Sequence, residues 1–195
     1  MSTVGVISRG IKAPIIRKGD DLAAIAVESL LAAAGDAATG FDIQDGDVLA
    51  VTEAVVARAQ GNYATVEQIA KDVRAKTGGG TVGLIFPILS RNRFSMLLRG
   101  IAAGVDKLVI MLSYPSDEVG NHPFTGIDYI ALYKEFAGEG TEIILANRPQ
   151  EILKYTDVVI NADIHTRFRT RRLLLEAGAK KVVSLHEILS APVDG

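Results

Sequence analysis

A chain of 195 residues with a formal net charge of −2, 48% hydrophobic and 23% charged, has the composition of an ordinary globular protein of one large or two small domains. It has no cysteine, which excludes disulfides, thiolate metal centres and thiol catalysis. At this length roughly 70% of the unfolded surface can be buried, so a packed core needs no staples. No apolar run reaches the ~18 residues of a membrane span. Met1 to Gly10 lacks the apolar centre of a signal peptide. A cytoplasmic protein with no membrane partner is expected. The acidic balance offers no continuous basic face, so nucleic acid is not an expected partner.

Val4 to Ile16 mixes β-branched residues with glycine and proline, which predicts a short strand and an extended arm ending at Gly19. Asp20 or Asp21 then caps a helix carrying Leu22, Ile25, Leu30 and Leu31, and Gly35 ends it. Asp42 to Asp47 is rich in turn residues and leads into a predicted strand, Val48 to Thr52. Glu53 to Ala59 reads as a short helix or a second strand. Thr65 followed by Gln68 is a capping-box pattern for a helix running to about Lys76.

Gly78, Gly79 and Gly80 mark a break. The predicted strands after it are Thr81–Phe86, Lys107–Leu112, Thr141–Leu145, Val158–Ala162 and Val182–Leu185. Helices are predicted near Arg91–Ala103, Ile127–Ala137 and Thr166–Ala177, with a short one opened by Pro149. Apolar strands alternating with helices predict an α/β fold: a small N-terminal α/β segment, then a Rossmann-like, mostly parallel sheet covered by helices on both faces. The division reads as 1–77 and 81–195, or as one continuous domain.

In an open parallel sheet ligands bind beyond the carboxyl ends of the strands. Polar residues recur there: Ser90-Arg91-Asn92-Arg93, then Ser113 to Glu118 running on to Asn121 and His122, then Asn147-Arg148, then Asp163 to Arg167. Helix N-termini and arginines both attract phosphate or carboxylate. Ser90, Arg91, Asn92, Arg93, Ser116, Asn121 and Arg167 are therefore candidate contacts to an anionic ligand, most simply a nucleotide. Asp117, Glu118 and Asp163 could hold magnesium or manganese, with Asp117 and Asp163 the preferred pair. Bland readings compete. Ser90 has the character of an N-cap, and His165 of a structural hydrogen-bonding histidine. Arg167, Arg169, Arg171 and Arg172 span under two helical turns and cannot all face one ligand, so most should be solvated or paired with acids such as Glu176. No G-x-G-x-x-G, P-loop or G-x-S-x-G pattern is present.

Lys18 to Leu31 (KGDDLAAIAVESLL) and Asp45 to Asn62 (DGDVLAVTEAVVARAQGN), behind the arm Gly10 to Ile16, resemble the N-terminal part of the coenzyme F-420 γ-glutamyl ligase family. That family opens with a G-x-P arm, a G-D-D-L helix and a D-G-D-V-L strand. The segments Ser90 to Phe94 and Ser113 to Asn121 are similar to a divergent bacterial branch of it. The resemblance implies an enzyme that joins L-glutamate to a carboxylate acceptor, using GTP (or ATP) with Mg2+ or Mn2+. The carboxylate is phosphorylated and the glutamate amine then displaces phosphate, with no covalent enzyme intermediate. By motif position, the nucleotide contacts become Ala13, Pro14, Ile15, Ile16, Glu53 and Arg58. Glu53 departs from the pattern, since an acid there repels phosphate. The family's G-I-D-x-S-N metal motif is matched only as far as Gly126-Ile127-Asp128. A homodimer is a weaker implication. The catalytic C-terminal part of the family is expected beyond the point where this chain reaches Gly195, so a fragment and a shortened member are both open readings. A nucleotide- or phosphometabolite-binding module without catalysis, or another Rossmann-like transferase, stands as the alternative function.

Overall fold

The computed structural model describes residues 5–89, 94–113, 126–191 and 193. The chain forms two compact units, Met1–Tyr63 and Ala64–Gly195.

The first unit holds two helices. Helix α1 (Leu22–Ala34) starts where the Asp21 carboxylate accepts the Ala24 N–H at 3.0 Å. Helix α2 (Glu53–Gln60) carries Glu53 in its first turn and Arg58 in its last, the ends that favour each charge. The predicted strands in 4–16 and 48–52 are absent among the described residues: both stretches are irregular. A strand needs a neighbour to receive its N–H and C=O groups. Here the local bonds close on themselves, as where Gln44 N–H donates to the Asp47 carboxylate and Asp47 N–H to the Gln44 carbonyl.

The second unit is a doubly wound sheet. Helix α3 (Val66–Thr77) begins with a complete capping box: Thr65 Oγ1 accepts the Gln68 N–H and Gln68 Oε1 accepts the Thr65 N–H. Strands β1 (Thr81–Ile85), β2 (Lys107–Leu112), β3 (Glu142–Leu145), β4 (Val158–Asn161) and β5 (Lys181–Ser184) pair in the order β3-β2-β1-β4-β5, all parallel. Helices α4 (Phe94–Ala103), α5 (Tyr129–Ala137) and α6 (Arg167–Glu176) and a 3-10 turn (Pro149–Lys154) connect them. The fold class is therefore α/β with a Rossmann-like parallel sheet.

Period-two alternation sorts the strand side chains onto two faces. Leu84, Ile110 and Ile160 join Val73 of α3, Leu98 and Ile101 of α4 and Tyr133 of α5 in one core. Ile85, Val109, Met111 and Val159 meet Ile152 of the 3-10 turn and Leu174 of α6 in the other. Helix α3 thus belongs with the sheet, although it precedes the triple glycine at which the sequence suggests a break. Gly78 to Gly80 form the short connection into β1, and Asp106 locks it: its carboxylate accepts the Gly80 N–H at 3.1 Å and Arg74 at 2.6 Å. Those two bonds to the Asp106 carboxylate, Arg74 the stronger, hold its pKa below the usual carboxylate range.

Helix α4 lies close against α3 through Gly100 and Gly104. A Cβ on Gly104 would stand 2.6 Å from the Ala70 carbonyl oxygen and 3.0 Å from the Val73 side chain, neither free to withdraw. Gly104→Ala should therefore overpack the α3–α4 contact and cost about 1–3 kcal/mol. Urea unfolding would register this as a lower midpoint at unchanged slope; an unchanged midpoint would show that the two helices can move apart freely.

Candidate functional site

Because β1 sits at the centre of the order, the chain runs outward from β1 to β3 on one side and returns to β4 and β5 on the other. The reversal falls between β1 and β4, and in open parallel sheets such a switch point is where the loops at the strands' carboxyl ends part to admit ligands. Pairing persists to the rim: Phe86 N–H donates to the Met111 carbonyl and Ala162 N–H to the Ile85 carbonyl. Phe86 itself has φ 52, in the left-handed region, directly before Pro87. A bulky residue held there costs roughly 1–3 kcal/mol, and such strain concentrates at functional sites.

The β4 side is built around Asp163. One carboxylate oxygen accepts the N–H groups of His165 and Thr166, both at 2.9 Å. The other accepts the hydroxyls of Thr166 at 2.7 Å and Thr170 at 2.6 Å. Partial burial pushes the Asp163 pKa up, but the four bonds together outweigh it and leave the group below its ordinary range. Asn161, buried at the end of β4, completes the frame by donating to the Arg167 carbonyl at 2.9 Å and accepting the Asp163 N–H at 3.0 Å. The start of α6 is thereby fixed at the end of β4.

The arginines that follow divide. The guanidinium of Arg167 lies 4.7 Å from the ring centre of exposed Phe168. Arg171 pairs with Glu187 at 2.6 Å and Arg172 with Glu176 at 3.7 Å. His165 enters the frame through its backbone N–H.

Beside the ends of β1 and β2 lies a cleft of about 500 Å3. Pro87, Ile88 and Leu89 line it from the β1 loop, Ser113 from the end of β2, and Tyr129 and Phe136 are among the α5 residues that face it. Its volume and mostly apolar lining with a few hydroxyls suit the body of a small ligand. Tyr133, 3% exposed, donates its hydroxyl to the Pro87 carbonyl at 2.8 Å and accepts the Leu89 N–H at 3.2 Å. Burial raises its phenol pKa far above the usual value, only partly offset by the Leu89 N–H, so the hydroxyl stays protonated.

In the first unit the arm and α2 meet where Gly19 N–H donates to the Ala59 carbonyl at 2.8 Å. Ala13, Pro14 and Ile15 are exposed while Ile16 is buried. Glu53 and Arg58 are exposed at opposite ends of α2. Ser90, Arg91, Asn92, Arg93, Ser116, Asp117, Glu118, Asn121 and His122 lie outside the described residues.

Among the described residues no three of His, Cys, Asp and Glu gather to hold a metal ion. Asp163 in particular has both oxygens filled by four donors, which is as many as a carboxylate readily accepts. Sequence reasoning passed over Asn161, Thr170 and Tyr133. An amide closing the apolar run of β4 was a usable sign for Asn161; nothing local marks Tyr133, whose partners lie 44 and 46 residues away.

Asp163→Ala should loosen the start of α6 and destabilise the sheet unit by about 1–3 kcal/mol at pH 7. The folded carboxyl titrates below its unfolded value of about 3.9, so its contribution is full above that value and fades as pH falls through the folded pKa. Urea midpoints of the two proteins should accordingly converge below about pH 3.9; a constant gap would show that the charge is not what Asp163 supplies.

Residues 10–165 match the sequence model of the family described as F420-0:Gamma-glutamyl ligase. No curated protein matches the chain. Among solved structures, the crystal structure of eIF2B beta from Chaetomium thermophilum is similar at 17% identity and a TM-score of 0.38. That likeness covers 61% of this chain and 40% of the other, and is too slight to bear on function. With the arm, both helices of the first unit, α3 and strands β1 to β4 all inside the matched span, the chain belongs to the F420-0:gamma-glutamyl ligase family.

Proposed function

We propose that this protein forms an amide bond between L-glutamate and a small-molecule carboxylate acceptor at the expense of GTP or ATP. The terminal phosphoryl group passes to the acceptor carboxylate, giving an acyl phosphate and the nucleoside diphosphate. The glutamate amine then attacks the acyl carbon, inorganic phosphate leaves, and the amine proton passes to solvent. Family membership supports the reaction class. The observation that carries it to this chain is the apolar cleft of about 500 Å3 at the carboxyl ends of β1 and β2, walled by the β1 loop and α5.

In this reading the cleft takes the apolar body of the acceptor and leaves its carboxylate toward the strand ends. The start of α6 contributes the positive end of its dipole to the phosphoryl oxygens. Arg167 is the described cation placed to join it, by leaving the Phe168 ring. Arg91 and Arg93 are further phosphate candidates from the β1 loop, and Ser90, Asn92, Ser116 and Asn121 polar ones. The described residues do not fit a divalent metal: Asp163 is filled and no acidic cluster accompanies it. The incomplete match to the family's metal motif, Gly126-Ile127-Asp128 only, favours a second reading, a nucleotide-binding module without catalysis. No described helix is long and apolar enough to cross a membrane.

A second copy is the partner we propose for the first unit. Helix α1 is apolar nearly all round yet has no buried residue, and Val27 and Leu31 are more than half exposed. Sedimentation equilibrium should return twice the monomer mass; a monomer would remove this part of the proposal.

Calorimetric titration with GTP and ATP, with and without manganese, should give micromolar binding of one nucleotide, weakened about tenfold or more by Arg91→Ala. Phosphate release that depends on glutamate and acceptor would establish the ligase. Binding without release would leave the binding module, and no binding of either nucleotide would sink both.

A further inference from the structure

The β1 loop is held in an unusual way. It leaves the sheet through Phe86 in a left-handed conformation that favours glycine, and Pro87 follows at once. The strand pairing does not release Phe86, whose N–H still donates to Met111. Among the described residues, a side chain from another element retains the turn. Tyr133 on α5 spends both hydrogen-bonding capacities of its hydroxyl on this loop, donating to Pro87 and accepting from Leu89. The same loop residues and the same helix form facing walls of the cleft.

We infer that Tyr133 is a positioning residue: its hydroxyl ties the Pro87–Leu89 wall to α5, setting the width of the cleft in which an acceptor's apolar body is seated. A tyrosine that merely completes the core also finds a partner for its hydroxyl. One partner suffices for that, and a core partner would serve. Here both partners are backbone groups of one strained loop at the mouth of a cleft, so the hydroxyl acts on the loop. The inference rests on the ligase reading for the nature of the occupant, an apolar molecule carrying a carboxylate.

Tyr133→Phe keeps the ring in the core and removes only the clamp. The probe is 1-naphthoate, an aromatic carboxylate, titrated into the whole protein by NMR with hydrogen exchange read at the Leu89 amide. Wild type should bind it with shifts at Tyr129 and Phe136. The variant should bind about tenfold more weakly, the loss of roughly one good hydrogen bond's worth of positioning. Leu89 exchange should accelerate by a similar factor while nucleotide affinity and the unfolding midpoint of the β-sheet core stay near wild type. Adding Phe86→Gly, which adopts the left-handed turn without strain, should recover part of the probe affinity. Unchanged probe affinity, or a Leu89 amide that exchanges no faster, overturns the positioning role even where nucleotide-dependent turnover holds. A wild-type chain that takes neither nucleotide nor 1-naphthoate overturns the ligase reading and this inference with it.

Discussion

The whole candidate site depends on one constraint: β1 is buried on both faces and paired on both edges. Leu84 and Ile85 are wholly inaccessible on opposite faces, and β2 and β4 occupy the two sides. Strand β1 therefore cannot shift register without driving apolar side chains out of one core or the other. Its carboxyl end is fixed in space, and so are the loops that leave it and its neighbour β4. A crevice between rigid strand ends is a place where loop chemistry can be held to a working geometry.

The loops after β4 and β1 are supported differently. On the β4 side the support is electrostatic and local: one carboxylate gathers two N–H groups and two hydroxyls within eight residues and fixes the helix that follows. On the β1 side the support is long-range, a phenol from α5 reaching back across more than forty residues. The first kind depends on charge and weakens in acid. The second is a neutral hydroxyl that burial keeps protonated.

The first unit is built on another balance. Among its described residues only Ile16 is a buried hydrophobic side chain, while Val6, Ile15 and Val48 are more than three-quarters exposed. A unit of this size without a core of its own is marginal. Its capped helices and closed turns are locally satisfied, yet its β-branched stretches have no ladder to join. That combination is what a segment completed by another surface presents.

Much of this was legible in the residues themselves. The Asp21 and Thr65 caps, the alternation of apolar strands with helices, the parallel sheet and the family all follow from local patterns, since a cap or an apolar strand is defined by neighbours a few positions away. The pairing of Arg172 with Glu176 follows from helical spacing alone. The strands expected in 4–16 and 48–52 did not form, because a strand is completed by its partner and that partner is not encoded in the strand. The role of Asp163 was equally out of reach: an acid after a parallel strand reads as a metal ligand or as a cap with equal ease. Only the folded positions of Thr166 and Thr170 show its oxygens already filled. Sequence by itself determined the capped helices, the apolar strands of the sheet and which loops collect polar groups. Tertiary structure decided which groups satisfy one another, because that depends on distances between residues far apart in the chain, and Tyr133 against Pro87 and Leu89 is the clearest instance.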